Sequence, residues 1–271
     1  MIAEQIGTDG RSILEQIDAS EDWLRAIPAV QTLRQVWIQQ FYADRPLHWR
    51  DAADLPPAEK LISTPYDSEA RYSQKRSTIW TGYKVHLTET CDEEGPHLIT
   101  DVQTTPATTP DFTMTPRIQS ALTQRGLPPT QQIMDAGYIA ADHLVTSQTL
   151  YQIDILGPVG PDNSWQSQQN AGFGAADFSL DWVQRTARCP EGHLSASWTS
   201  GVDRHKNELI YIKFARGDCS ACSVRSHCTH SPTEPRMLNV RPQASYQALL
   251  QARQRQHTEA FGFAVCCSSW H

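Results

Sequence analysis

Apolar and polar positions divide the chain into stretches of different period. Across residues 11–45 apolar side chains return every three or four positions. Val30, Leu33, Trp37 and Phe41 would form one stripe of a helix, and Pro28 suits its first turn. That stripe is expected to face a core. Residues 44–66 lose the period and carry Pro46, Pro56, Pro57 and Pro65 among charges, which predicts a connecting segment with a boundary near residue 60. The period then shortens to two. Tyr83, Val85 and Leu87 alternate with Lys84, His86 and Thr88, and a β-rich run from Leu98 to Val102 follows the turn sequence CDEEGP, so a β-hairpin is expected. Pro116 to Arg125 reads as a helix closed by Gly126, with Pro128 and Pro129 forbidding its continuation. QQIMD (131–135) reads as a short strand, IAADHLVTSQTL (139–150) as a helix and YQIDILGPV (151–159) as another strand. The order hairpin, helix, strand, helix, strand predicts an α/β or α+β fold with part of its sheet parallel. FSLDWV (178–183) and ELIYIKF (208–214) would be strands of a small β-rich insertion. The expected organisation is a helical segment and linker (1–60), a core (61–161), the insertion (162–240), and a helix leading into a tail (241–271).

The 271 residues are 39% hydrophobic, enough to bury one large core or two ordinary ones. No apolar run reaches the roughly 18 residues of a membrane span, and the first thirty residues lack the grammar of a secretory signal, so a cytoplasmic protein is expected. A net charge of −7 argues against a broadly basic surface for nucleic acid. The charge is uneven: residues 1–161 hold 12 Lys+Arg against 21 Asp+Glu, and residues 162–271 hold 11 against 9. Within the acidic part, Arg71, Lys75, Arg76 and Lys84 interleave with Tyr72, Trp80 and Tyr83. Such a mixture can neutralise phosphates and stack on bases, and it can equally be a solvated face.

Two constellations carry candidate chemistry. In MDAGYIAADHL (134–144), Asp135 would sit at the carboxyl end of a strand, at the rim where open α/β sheets gather ligands. Gly137 would let the backbone turn, and Ile139 would begin the next helix. A helix N-cap or Asx turn is the competing reading of that aspartate. The second constellation is Cys189, Cys219, Cys222 and Cys228, spaced C-x29-C-x2-C-x5-C. In a reducing compartment four such thiols fit a closed tetrahedral Zn²⁺ site better than disulfides, with His193 or His227 as replacement ligands and unmetallated buried thiols as the plain alternative. No nucleophile-elbow serine or cysteine and no glycine-rich phosphate loop is present.

Several motifs occur in one order: TPYDSEARYSQKR, WTGYKVHLTETCDEE, HLITDVQTTPATTPD, MDAGY, LGPVGPDNSWQ and the four-cysteine segment. Together, over about residues 1–261, they resemble the IS1182-type insertion-sequence transposases of the broader IS4-like group. The resemblance implies a partial ribonuclease-H-like core in which two Asp and one Glu hold two divalent ions, normally Mg²⁺. It also implies DNA as partner, both insertion-sequence ends and target, with self-assembly or association with an intact transposase. In that family water cleaves a strand and the freed 3′-hydroxyl then attacks target DNA. Asp135 matches the second aspartate, written D-x-G-Y. The first, in an Asp-Ser-Thr or Asp-Gly-Thr strand, has no counterpart. Asp67, in a turn, and Asp101, on the solvent side of the hairpin's second strand, are the in-chain substitutes. The Arg-x-Gly-x-Glu-Gly-Thr helix bearing the final glutamate has no counterpart either. HTEAF (257–261) runs into GFAVCCSSWH, whose Cys266, Cys267 and Trp270 resemble out-of-frame translation. The expectation is a transposase fragment truncated at both ends and catalytically incomplete. A noncatalytic DNA-binding remnant and a zinc-stabilised interaction module are the alternatives.

Overall fold

The computed structural model describes residues 2–43, 46–92, 95–169, 171–259 and 261–262. The tail with Cys266, Cys267 and Trp270 lies outside the described residues. The chain divides into two units, Met1–Thr113 and Met114–His271. The division falls within the stretch 61–161 that the sequence groups as one core.

The first unit begins with three helices, α1 (Ile2–Asp18), α2 (Asp22–Arg25) and α3 (Pro28–Gln40). The helical region starts earlier than its apolar stripe suggests and is broken between helices. Pro28 stands in the first turn of α3, where its missing N–H has no partner to lose. The stripe is only half-buried: no residue of α3 is buried, while Phe41, just past its end, is 5% exposed. The Trp37 ring stacks on Phe41 with centroids 5.7 Å apart, and its indole N–H donates to the Gly7 carbonyl at 2.8 Å. A Cβ at Gly7 would lie 2.4 Å from the Phe41 ring, so a glycine of α1 admits that aromatic pair. Phe41–Tyr42 (β1) then pairs antiparallel with His48–Trp49 (β2).

The same unit holds an antiparallel sheet of β3 (Arg71–Lys75), β4 (Thr78–Glu89) and β5 (Ile99–Pro106), in that order. The expected hairpin is β4–β5; β3 is additional. The register puts Lys84, His86 and Thr88 opposite Thr105, Gln103 and Asp101 on one face, and Tyr83, Val85 and Leu87 opposite Pro106, Thr104 and Val102 on the other. Burial is the reverse of what the alternation suggests. Val85, Leu87 and Val102 are more than half exposed, whereas His86 and Asp101 are each 2% exposed. Asp101 is therefore not on a solvent face. The polar face tolerates burial because its groups satisfy one another. Lys84 Nζ donates to the Thr109 carbonyl and to Asp111 Oδ1 at 2.8 and 2.9 Å, His86 Nε2 lies 2.9 Å from Thr105 Oγ1, and Gln103 donates to Asp101 at 3.1 Å.

The second unit opens with α4 (Thr115–Gln124), whose Ile118 and Leu122 pack with Met114 and Tyr138. Gly126 ends the helix at φ 72°, its N–H on the Thr123 carbonyl. β6 (Gln131–Ile133) and β7 (Asp154–Leu156) pair in parallel around α5 (Ala141–Thr146). α5 is shorter than its apolar spacing predicts. Ile139 is extended rather than helical, and beyond Thr146 the chain widens into a π turn, Ser147–Tyr151, closed by Gln152 at φ 58°. Past a short helix, α6 (Trp165–Gln168), a hairpin of β8 (Ser179–Asp181) and β9 (Thr186–Arg188) precedes the antiparallel sheet β10 (Ser195–Val202), β11 (Glu208–Phe214) and β12 (Met237–Val240). α7 (Arg216–Ala221) lies between β11 and β12. Phe178, Ala187, Ile212, Phe214, Leu238 and Val240 form the core of this β-rich part. The last helix, α8 (Gln243–Arg255), packs on α5. Mixed α+β content with one parallel pair agrees with the fold class read from the sequence. No helix among the described residues is long and apolar enough to cross a membrane.

Candidate functional site

Asp135 follows β6 after one residue, at the carboxyl end of the parallel pair. Its position is fixed from inside. Gln132 of β6 is 7% exposed and accepts from Gln119 Nε2 of α4 at 3.1 Å, and Gln119 Oε1 accepts from Ser147 Oγ at 2.8 Å. These three groups are buried, so the network ties helix, strand and π turn together and specifies the strand's register. The Met134 N–H continues the ladder to the Leu156 carbonyl at 2.9 Å. The chain then turns through Ala136–Tyr138, which contains Gly137. The Tyr138 N–H bonds the Asp135 carbonyl at 2.9 Å, and the Tyr138 carbonyl accepts from Thr115 Oγ1 at 2.7 Å.

Asp135 stands in the N-cap position of that turn with φ −63° and ψ 152°, yet its side chain makes no capping hydrogen bond. The exposed carboxylate has no hydrogen-bond or ion-pair partner among the described residues. Capping thus does not account for the residue. The other carboxylates of the parallel pair and α5 are occupied. Arg255 holds Asp154 with two bonds of 2.8 and 2.9 Å and, with Gln131, keeps its carboxyl below the usual range; Asp142 accepts from Ser245 at 2.8 Å.

The rim also depends on a close approach. A Cβ at Gly157, immediately after β7, would lie 2.1 Å from the Met134 carbonyl oxygen and 3.1 Å from its carbon. Both are backbone atoms and cannot rotate away. Gly157→Ala is expected to destabilise the protein by about 1–3 kcal/mol through overpacking, measurable as a lower urea midpoint with unchanged slope. An unchanged midpoint would mean that the two strand ends can part.

The two substitutes for a first aspartate are each engaged within the first unit. Asp67 accepts from the Tyr83 hydroxyl at 2.9 Å and from the N–H groups of Glu69 and Ala70 at 3.0 and 3.1 Å, so that Tyr83 first and the backbone next hold its carboxyl below its ordinary range. That is an Asx turn. Asp101 is buried on the hairpin with Gln103. Among the described residues no group of three or more His, Cys, Asp or Glu is arranged to hold a metal ion.

The same holds for the cysteines, a correction to the expectation of an assembled zinc site. Cys189, Cys219, Cys222 and Cys228 are free thiols bordering one cavity together with His193 and Arg236. They border the same cavity without being arranged as a ligand set. The CPEGH loop is nonetheless folded around its sulfur. Gly192, at φ 90°, bonds the Cys189 carbonyl at 2.8 Å, and the His193 N–H points at Cys189 Sγ at 3.3 Å. Burial pushes the Cys228 thiol up to about 11, reinforced by the neighbouring cysteines and opposed by Arg236. His227 stacks at a tilt on Phe173.

The four basic residues fall into two kinds. Arg71 donates to the carbonyls of Glu59, Ser68 and Ala70, and Lys84 is paired with Asp111. Lys75 is 71% exposed, 3.9 Å from Asp111, and Arg76 occupies the β3–β4 turn at φ 57°. Of the interleaved aromatics, Tyr72 is exposed, Tyr83 is tied to Asp67, and Trp80 donates to the Tyr83 carbonyl at 3.3 Å.

Residues 188–264 match the family model described as "Transposase DDE domain". That stretch covers the cysteines, β10 to β12 and α8, under half of the chain, and leaves Asp135 outside. Neither the curated proteins nor the solved structures contain a match. The family match supports a DDE transposase relationship, for which DNA is the substrate and a divalent metal such as Mg²⁺ the usual cofactor.

Proposed function

We propose that the chain is part of a DDE transposase of IS1182 type, IS4-like, built on a ribonuclease-H-like core, and that Asp135 is its second metal-binding aspartate. The observation that carries this reading is an exposed, unpaired carboxylate at the carboxyl end of a parallel strand pair, in a chain whose residues 188–264 match the transposase family. Mg²⁺, when held by a full carboxylate set, activates the attacking oxygen and stabilises the leaving one. The described residues do not supply that set, because Asp67 and Asp101 are engaged elsewhere, so cleavage by this route requires carboxylates from outside them. An intact transposase, a second copy of the chain or more of the same polypeptide could provide them. A cytoplasmic setting fits this reading and keeps the thiols reduced. The four cysteines then serve as ligands of a structural Zn²⁺ that draws the cavity closed.

DNA binding is assigned to the exposed end of the three-stranded sheet. Lys75 and Arg76 are exposed at the β3–β4 turn and available to phosphate, whereas Arg71 and Lys84 shape the unit. Removing one cation that neutralises a phosphate should lower the slope of log affinity against log salt by roughly 0.9 on duplex DNA. Lys75→Ala/Arg76→Ala is therefore expected to weaken binding and flatten the salt dependence in fluorescence anisotropy, with the fold retained. An unchanged slope would assign these cations to a solvated face. A chain with no salt-dependent affinity for DNA would instead favour a zinc-stabilised interaction module.

A further inference from the structure

We infer that Arg185 and Lys206, in two hairpin turns at one end of the β-rich part of the second unit, form a second contact surface for the phosphates of duplex DNA. This rests on the reading of DNA as substrate, and adds a surface that Lys75 and Arg76 of the first unit do not supply.

Among the described residues, four that are not glycine hold a positive φ: Arg76 at 57°, Gln152 at 58°, Arg185 at 53° and Lys206 at 65°. Three of the four are cations, and each of the three occupies the turn of a β-hairpin, β3–β4, β8–β9 or β10–β11. Glycine is the residue such positions favour, because a Cβ strains the left-handed region, and Asn and Asp come next. The fold gains nothing from Arg or Lys there. A side-chain charge is what glycine would lack.

The two turns of the second unit share a plan. In β10–β11 the Asp203 N–H bonds the Asn207 carbonyl at 2.9 Å and closes a three-residue loop, whose last member, Lys206, takes the place usually held by glycine. Asp203 Oδ1 accepts from the N–H groups of His205 and Asn207 at 2.8 and 2.9 Å. In β8–β9, Asp181 Oδ1 accepts from those of Val183 and Gln184 at 3.0 and 2.8 Å, and Arg185 ends the loop. Each aspartate is committed to the backbone of its own turn, while Arg185 and Lys206 are exposed. Glu208, also exposed, is the other acid of the β10–β11 hairpin and opposes phosphate from two residues away.

Both turns lie at the same end. β9 runs antiparallel to β10 through the Arg188–Leu194 bridge, and Trp182 of the first turn meets Trp198 of β10 with ring centroids 5.4 Å apart. Arg204, exposed in the second turn, adds a third cation; its guanidinium donates to the His205 ring at 3.0 Å. β12 pairs with β11 only from Ile210 to Lys213, so the hairpin projects past it as a two-stranded ribbon. The major groove of duplex DNA admits such a ribbon.

Affinity of the 271-residue chain for a duplex oligonucleotide, measured by fluorescence anisotropy across a salt series and beside thermal unfolding, tests the assignment. Glycine is the discriminating replacement, because it suits the backbone of both turns and removes only the side chains. Arg185→Gly/Lys206→Gly is expected to lower the slope of log affinity against log salt by about 1.8, two contacts at roughly 0.9 each, with an unfolding midpoint close to wild type. Arg185→Lys/Lys206→Arg keeps both charges and should keep the slope. An unchanged slope in the glycine variant, or an equal loss in the charge-preserving one, overturns the inference. Should the glycine variant unfold, Arg185→Gln/Lys206→Gln set against the charge-preserving pair gives the same comparison. A slope flattened by Lys75→Ala/Arg76→Ala but not by these variants would leave DNA as substrate and remove this surface. Wild-type protein with no salt-dependent affinity for DNA would instead remove the reading on which the inference stands.

Discussion

Chelation of the zinc-loaded protein is expected to open the segment between residues 160 and 235 to protease first, while the parallel pair and α4 stay protected. The cysteines sit where the fold has least of its own to hold it. Cys189 lies in a loop after β9, Cys219 and Cys222 at the end of a six-residue helix with no buried residue, and Cys228 after a single turn of 3₁₀ helix. A helix that short does not persist without tertiary support. Structural zinc contributes about 10–16 kcal/mol in small peptides, comparable to the roughly 5–15 kcal/mol that stabilises a whole domain, so even a fraction of it governs this region. The core of Phe178, Ile212, Phe214 and Leu238 should keep β10, β11 and β12 together after the loops have opened. Around Asp135 the buried Gln119, Gln132 and Ser147 make no use of the cysteines and should protect the strands throughout. Limited proteolysis with fragment mass analysis, with and without chelator, checks this order. Identical digests would mean that the cysteines only pack. Cys219→Ser and Cys222→Ser should each reproduce the chelated pattern.

Local signals were the legible part of the sequence. Pro28 opens α3, Gly126 closes α4, and QQIMD and YQIDILGPV contain the two parallel strands, because each depends on backbone chemistry within a few residues. The hairpin was legible as a hairpin but not in its orientation. Alternation states that β4 has two unlike faces, and only partners elsewhere decide which one is buried. Here Lys84 found Asp111, His86 found Thr105, and Asp101 found Gln103, so the polar face went inside. Helix lengths failed for a related reason. Ile139 and Leu150 extend an apolar spacing that the chain abandons, since Thr115 fixes the Tyr138 carbonyl on one side of α5 and Ser147 joins a buried network on the other.

For the candidate site, the sequence placed Asp135 at a strand end and left capping as a rival. The cap position is present and the capping bond is not, which leaves the carboxylate exposed; its metal-binding role is the proposal made above. The same geometry makes Asp154 and Asp142 poor alternatives, each held by a partner that replacement would leave buried or unpaired.

The role of Asp135 is tested most directly by nicking of supercoiled plasmid DNA in Mg²⁺, followed on a gel. The assay compares the 271-residue chain with a reconstructed full-length enzyme in which a complete carboxylate set has been supplied, each as wild type and Asp135→Ala. Removing a metal ligand forfeits several kcal/mol of transition-state stabilisation, and each 1.4 kcal/mol is a factor of ten, so the substitution should cost on the order of a thousandfold or more in the full-length enzyme. The expected result is no Mg²⁺-dependent nicking by the 271-residue chain, nicking by the full-length enzyme, and its loss with Asp135→Ala. Full-length Asp135→Ala that still cleaves would exclude Asp135 as a metal ligand. Nicking by the chain alone that Asp135→Ala abolishes would show a complete carboxylate set within these residues.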